Sequence, residues 1–252
     1  MRDEWLPMPR YKLRKDLVRR ILKREETEGK TCLELGYGAG DMLLMYADLG
    51  LRAYGFDISE QAYRNAALRI ERHQALKEKI HLCQSSDEVC NRKYDYLMAF
   101  EVLEHIEDDV SSLRQWRNLL NNQGKLLISV PAHASKWGAN DVATGHYRRY
   151  EREELINLLG RTGFEVIHFW NYAYPISILL DIFLHRTYRA RPMDVCVSKE
   201  ERSKQSGLKR QNNIINRFLS GDLFLSPFLF AQRLFLNHDA SSAYLIAAAR
   251  MP

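Results

Sequence analysis

Three groups of residues in this chain have types and spacings that suit chemistry. In the first, Glu34-x-Gly36-x-Gly38-x-Gly40, an acidic residue precedes three alternating glycines, and Asp57 follows twenty-one residues beyond Gly36. Glycines at that density accept positive φ and let the backbone approach a ligand closely, while a carboxylate ending the next strand can accept both hydroxyls of a ribose. The expected chemistry is the grip of an adenosine moiety; the plainer reading is a tight turn, with Asp57 capping a helix that starts near Ser59. Dinucleotide folds want G-x-G-x-x-G, and here the third glycine comes one position early, which disfavours a nicotinamide-dependent dehydrogenase.

The second group is Phe100-Glu101-Val102-Leu103-Glu104-His105-Ile106. The third is the polar, aromatic segment 131–150, which carries His133, Trp137, Asp141, His146, Arg148, Arg149 and Tyr150. An arginine pair beside histidine and aspartate suits bidentate contact with a carboxylate or phosphate, and an imidazole there could take a proton from an acceptor hydroxyl. Alternatively, Arg148 and Arg149 pair with Glu151, Glu153 or Glu154 around the next helix. His133, Asp141 and His146 offer too few oxygens for magnesium and no i, i+4 histidine pair for zinc, so no metal is expected.

Hydrophobic periodicity supplies the elements that must position these groups. Leu17, Val18, Ile21 and Leu22 place an amphipathic helix at about 13–26. Cys32, Leu33 and Leu35 read as a central parallel strand running into the glycine loop, with Asp41 expected to cap the next helix. Strands are expected at 51–56, 80–83, 94–100, 125–130, 162–170 and 243–249, and helices at 42–47, 60–76, 109–120 and 151–160. The apolar runs 176–184 and 214–236, joined by a basic stretch at 186–210, interrupt the pattern before the last strand.

The glycine run with its leading Glu34 resembles motif I of class I S-adenosylmethionine (SAM)-dependent methyltransferases, and Phe100 to Ile106 resembles the post-strand-four motif of the ubiquinone-biosynthesis-like members, usually a form of E-V-L-E-H. The resemblance implies a Rossmann-like α/β fold with a seven-stranded, mostly parallel sheet, helices on both faces, an antiparallel last strand and a helical insertion before it. It divides the chain into a methyltransferase domain, 1–171 plus 240–252, and a helical insertion or lid, 172–239. The implied cofactor is SAM, leaving as S-adenosylhomocysteine, held by Glu34, Gly36, Tyr37, Gly38, Gly40, Asp57, Ile58, Ser85, Ser86, Asp87, Phe100, Glu101, Val102 and His105, with Leu103 on the pocket floor. Segment 131–150 resembles the H…W…D…G-H-x-R-R-Y pattern of a subgroup found with glycan, lipid-linked sugar and natural-product pathways. It makes Trp137, Asp141, Arg148, Arg149 and Tyr150 the expected acceptor contacts and His133, His146 and His105 the candidate bases. The family's usual Pro-Gly-Gly turn before strand five is Asn122-Gln123-Gly124 here.

Composition bounds the remaining classes. The net charge of +5 is modest, and its basic clusters, Arg10 to Arg24 and Arg186 to Arg217, read as solvated faces or as contacts for phosphate or anionic lipid. Four cysteines without zinc spacing read as reduced thiols, the first residues have no apolar core of a secretory signal, and no run approaches the roughly 18 apolar residues of a membrane span. A cytoplasmic enzyme is expected, with a small-molecule or lipid-like acceptor, possible peripheral membrane contact through 172–239, and no nucleic acid. Nucleic-acid methylation and a non-catalytic partner-binding subunit are the competing readings; no N-P-P-Y motif follows strand four.

Overall fold

The computed structural model describes residues 6–178, 180, 181, 198, 199, 201, 202 and 221–252, with backbone alone at 222 and 223. Helix α1 (Pro9–Leu22) starts before the expected 13–26 because Pro9 sits in its first turn, where a fixed φ and a missing N–H are tolerated. Next come β1 (Thr31–Leu35), α2 (Asp41–Asp48), β2 (Arg52–Phe56), α3 (Glu60–Glu71), α4 (Gln74–Lys77), β3 (Ile80–Cys83), α5 (Ser86–Cys90) and β4 (Tyr94–Phe100). A 3-10 turn at Leu103–His105 leads to α6 (Asp109–Leu119) and β5 (Leu120–Pro131). A second 3-10 turn at Ala134–Lys136 precedes α7 (Ala139–Thr144), α8 (Arg152–Arg161), β6 (Phe164–Asn171), α9 (Asp222–Leu234) and β7 (Ala243–Arg250).

The seven strands form one sheet in the order β3-β2-β1-β4-β5-β7-β6, with β1 to β5 paired in parallel. The expected antiparallel last strand is present and slots between β5 and β6, bonded antiparallel to both. Side-chain alternation divides the core between the two faces. Tyr96, Met98 and Phe100 of β4 face a layer built with Leu13, Leu17 and Val18 of α1 and Met42, Leu43 and Tyr46 of α2. Leu97 and Ala99 face Leu113 and Trp116 of α6 and Leu155 and Leu159 of α8. Each fully buried leucine contributes about 1.5–3 kcal/mol relative to exposure, so α1 is a structural layer of the fold rather than an appendage.

Some boundaries move, for local reasons. Gly40, in the left-handed region at φ 73°, is the N-cap of α2, so Asp41 is its first residue and its carboxylate is free to receive α1. The expected turn at Asn122-Gln123-Gly124 is a bulge inside β5: pairing jumps from Tyr94↔Leu120 to Tyr96↔Lys125, and Gln123 takes φ 67°. The single helix expected at 60–76 breaks at His73, whose ψ of 65° lies outside the helical region and separates α3 from α4. Of the expected insertion, α9 is described, and it docks on α1. Gln232 donates to the Leu13 carbonyl at 3.2 Å, and Arg233 meets Asp16 at 3.0 Å. The basic stretch at 186–210 and the apolar residues 214–219 lie outside the described residues, apart from 198, 199, 201 and 202.

Candidate active site

The carboxyl ends of β1, β2, β4 and β5 meet at one edge, where an open α/β sheet binds ligands. β1 leaves the sheet through Gly36, at φ 71°, whose amide donates to the Phe56 carbonyl of β2 at 2.8 Å. A Cβ on Gly36 would lie 2.8 Å from a methyl of Val102, so the loop is clamped between β1 and the β4 exit. Gly38, at φ 55°, has nothing within 4 Å of where its Cβ would stand, so the loop presents bare backbone to open space there. Asp57 steadies that stretch by accepting from the Gly38 amide and the Ser59 amide, each at 2.9 Å. Burial raises its carboxyl above the ordinary range, against those two bonds. Ile58 beside it is 60% exposed, an apolar side chain held out at the sheet edge. Open backbone, a positioned carboxylate and an exposed apolar side chain together fit an adenosine-sized ligand.

Glu34 and Tyr37 stand behind this cradle. Tyr37 packs against Gly55 of β2, where a Cβ would come within 2.6 Å of its ring. Glu34 is buried, and burial pushes its carboxyl up to about 8; Arg14 opposes that rise and Asp41 and Asp57 add to it. Ser85, Ser86 and Asp87 form the start of α5: the Ser85 hydroxyl caps it by accepting from the Glu88 amide at 3.3 Å, while Ser86 and Asp87 are exposed. The Ser turn weighed from sequence is therefore present.

The β4 exit carries the second group. Glu101 adopts φ 58°, a strained conformation for a residue with a side chain. Its carboxylate accepts from Ser129 Oγ at 2.7 Å and Tyr172 Oη at 3.2 Å, and it meets Arg14 at 3.4 Å. Burial alone would raise it, but Arg14, Ser129 and Arg10 outweigh burial and hold it below the usual carboxylate range. Arg14 also lies over the rings of Phe100 and Tyr11. Part of the basic run of α1 is therefore spent on half-buried pairs within the chain, with Arg10 on Asp181 and Lys15 on Asp41, while Arg19 meets Asp48 on the solvated face. Sequence reasoning missed Arg10, Arg14, Ser129, Tyr172 and Asp181. A signal for Arg14 existed, because it shares the apolar stripe of Leu17, Val18 and Ile21.

After Glu101 the chain turns through Leu103, Glu104 and His105. Glu104 is fully buried, and neither carboxylate oxygen has a hydrogen bond among the described residues. Burial first, then Glu101 beside it, pushes the Glu104 carboxyl well above the ordinary range, against the pull of its own backbone amide. The His105 ring stands edge-on to that of His146, centroids 4.7 Å apart. Burial first, then His146, pulls the His105 imidazole down to about 4.

Segment 131–150 is built into the molecule more tightly than its composition suggests. Asp141 is buried and accepts from His146 Nδ1 at 2.9 Å, Arg149 Nε at 2.9 Å and the Gly138 amide at 2.9 Å. Burial opposes its ionisation, yet these bonds push the carboxyl down to about 2. Arg149 spends a second donor on the Ala132 carbonyl, and Arg148 holds Asp109 at 2.7 Å together with the Glu107 carbonyl. Tyr150 is buried, its hydroxyl on Asp109 at 3.0 Å. The arginine pair thus meets Asp109 and Asp141, in place of either an incoming anion or the glutamates of α8, because the loop folds back across the β4 exit. Asp141, Arg148, Arg149 and Tyr150 brace the site in this structure, whereas Trp137 is 42% exposed. His133, at φ 61°, lies between Glu151 at 3.4 Å and Asp239 at 3.3 Å, apart from the pair formed by His105 and His146. The three residues weighed for a metal, His133, Asp141 and His146, do not form a set. Glu104, His105 and His146 do, each offering a ligand atom within 4.8 Å of the others.

Comparison with known proteins agrees with this architecture. The family described as "Methyltransferase domain" matches residues 7–169. The chain is 29% identical over 118 residues to the ubiquinone biosynthesis O-methyltransferase of Glaesserella parasuis, covering 43% of this chain and 48% of that protein. It is 29% identical over 144 residues to a probable S-adenosylmethionine-dependent methyltransferase of Mycolicibacterium smegmatis, covering 55% of this chain and 53% of the relative. The matched stretch thus spans about half the length of each relative. Among solved structures, the YcgJ protein of Bacillus subtilis shares the fold with a TM-score of 0.58 at 15% identity, over 95% of this chain and 99% of that one. With the family matched across the whole of the sheet edge described above, the chain belongs to the class I S-adenosylmethionine-dependent methyltransferases.

Proposed function

We propose that this chain transfers a methyl group from SAM to an oxygen or nitrogen atom of a small, lipid-like or glycan-pathway metabolite. The observation that carries the reading is the cradle itself: open backbone at Gly38 with Asp57 on its amide, facing the Phe100 to His105 exit across the clamp of Gly36 on Val102. Gly36, Gly38, Gly40, Asp57 and Ile58 would hold the adenosine part, with Tyr37 behind them and Ser85, Ser86 and Asp87 at the neighbouring strand end. Glu34, Phe100, Glu101, Val102 and His105 would surround the methionine part. Bound there, SAM supplies a methyl group already activated on a sulfonium, so the chain's task is chiefly to orient the acceptor.

Where the acceptor must lose a proton, His146 is the imidazole best arranged to take it. Its Nδ1 donates to the ionised Asp141, which leaves the Nε2 lone pair exposed toward Glu104 and His105. His105 is a weaker acceptor with its imidazole at about 4, and the His133 ring is held between two carboxylates. Trp137 is the exposed aromatic available to an acceptor, and Asp141, Arg148, Arg149 and Tyr150 would act by holding the loop that carries it.

Tritiated methyl transfer from SAM into fractionated small molecules and lipids tests the reading. Label is expected to enter one chemical fraction with wild-type protein and not with Asp57→Ala. Within that reaction, His146→Ala is expected to reduce turnover by about 10²-fold or more, as loss of a general base does. Turnover of His146→Ala, His105→Ala and His133→Ala all within about threefold of wild type would mean transfer by proximity alone. Label entering RNA instead would favour the nucleic-acid reading.

A further inference from the structure

We propose that Arg10 and Lys136 form an oxyanion subsite at the sheet edge, which selects acceptors bearing a carboxylate or phosphate group. The assignment rests on the methyl-transfer reading and names the chemical class of its acceptor. The two side chains come from distant parts of the sequence, α1 and the 3-10 turn after β5, and converge on the turn that enters β7. Asp181 accepts from Arg10 Nη2 at 2.6 Å and also from Ser242 Oγ. Lys136 Nζ donates to the carbonyls of Ala240 and Ser241, at 2.8 and 2.9 Å. Because β7 runs antiparallel to β5, this turn lies at the same edge of the sheet as the β4 exit. Arg10 accordingly acts on Glu101 as well as on Lys136.

Three observations point to an anion here. First, Arg10 is incompletely used: it spends Nη2 on Asp181, and its buried Nε has no hydrogen bond. Buried donors are ordinarily paired, and a guanidinium edge is the shape that a carboxylate or phosphate oxygen fits. Second, Lys136 is a half-buried ammonium with no carboxylate in ion-pair contact among the described residues, and carbonyls take two of its three donors. Burial, with Arg149 and Arg10 nearby, lowers its pKa against the pull of Asp181 and Asp239, so an incoming anion would favour its charged form. Third, the place is open. The side chains of Arg10, Asp181 and Glu101 are 20%, 24% and 30% exposed, so charged groups gathered beside α1 still reach solvent. Arg148 and Arg149, the pair expected to hold an anion, are already met by Asp109 and Asp141. An acceptor anchored by its acid group at Arg10 and Lys136 would extend past Glu101 toward His146, whose charge also acts on Glu101. Its nucleophile would then lie beside the methionine end of the cofactor.

Calorimetric titration of the full chain, with and without saturating S-adenosylhomocysteine, tests the subsite with three probes: phenyl phosphate, benzoate and the neutral benzyl alcohol. Saturable one-to-one binding of phenyl phosphate or benzoate is expected, the stronger of the two naming the acid group, and benzyl alcohol should give no binding. Arg10→Gln and Lys136→Gln, each checked for native circular dichroism, should weaken the oxyanion at least about tenfold, as loss of a hydrogen bond to a charged group does. Both should bind S-adenosylhomocysteine within about twofold of wild type. Lys136 lies half-buried on a surface turn, so its variant keeps the test available should Arg10→Gln fail to fold. The proposal is overturned if neither oxyanion binds the wild-type protein, if the variants bind it as wild type does, or if benzyl alcohol binds equally well. It is overturned too if Arg10→Gln loses S-adenosylhomocysteine and keeps the oxyanion, which would give Arg10 to the cofactor. An oxyanion bound in this Arg10- and Lys136-dependent way by a chain that takes no S-adenosylhomocysteine would support the subsite and remove the methyl-transfer reading instead.

Discussion

At the residue scale, the site collects groups whose protonation is set by where the fold has put them. Glu34 is the clearest case, buried with its carboxyl at about 8. In the unfolded chain that carboxyl loses its proton near the ordinary value, whereas in the folded chain it keeps it, so the folded state binds more protons between about pH 4.5 and 8. Folding stability should therefore fall as pH rises through that window, on the order of a few kcal/mol. Glu34→Gln, which cannot ionise, should unfold at a higher urea concentration than wild type at pH 8 and close to it at pH 5. Equal midpoints at both pH values would show that Glu34 is ionised without penalty. Asp141 is the opposite case, a buried carboxyl held near 2 by His146 and Arg149, so its contribution is intact at neutral pH and is lost only as pH falls through that low value. These individual states were hardly legible in the sequence. The pairing of Arg149 with Asp141 and of Arg148 with Asp109 depends on a loop folding back over a strand end, and local spacing carries no trace of that.

At the element scale, α1 links the cofactor cradle to the rest of the molecule. Tyr11 and Lys15 reach Asp41 at the start of α2, Arg14 reaches Glu101 and Ser129, and Asp16 and the Leu13 carbonyl receive α9. Removing the Arg14 guanidinium while keeping its apolar stem, as Arg14→Met does, leaves Glu101 without its cation beside a strained backbone. The variant should lose about 1–3 kcal/mol in urea unfolding, and Arg14→Met with Glu101→Gln should recover part of the loss; a double variant no better than the single one would mean that the pair is not coupled. The elements themselves were largely legible, because period-two and period-3.6 patterns report them directly. β1, β4 and the last strand stand where those patterns put them, and the antiparallel direction of the last strand is the one that the family resemblance implied. The 121–124 bulge in β5 and the break at His73 were not legible, since each is decided by pairing or packing against another element.

At the scale of the whole molecule, one sheet edge gathers the cradle, the β4 exit and segment 131–150, while α9 leaves apolar side chains uncovered on the outside. Phe230 and Leu234 are 64% and 69% exposed, and Phe235 follows at 37%. None of the helices among the described residues is long and apolar enough to cross a membrane, so any contact through this face would be peripheral. In liposome flotation with anionic vesicles, wild-type protein is expected to float and the variant Phe230→Ser with Leu234→Ser to remain with the soluble fraction. Equal recovery of both in the soluble fraction would remove the membrane contact from the account. The central claim concerns the cradle, and calorimetric titration of the full chain tests it most directly. S-adenosylhomocysteine and SAM should bind with dissociation constants in about the micromolar range, NAD should give no heat, and Asp57→Ala should weaken both at least about tenfold. Absence of binding by wild-type protein, or binding indifferent to Asp57, would contradict it.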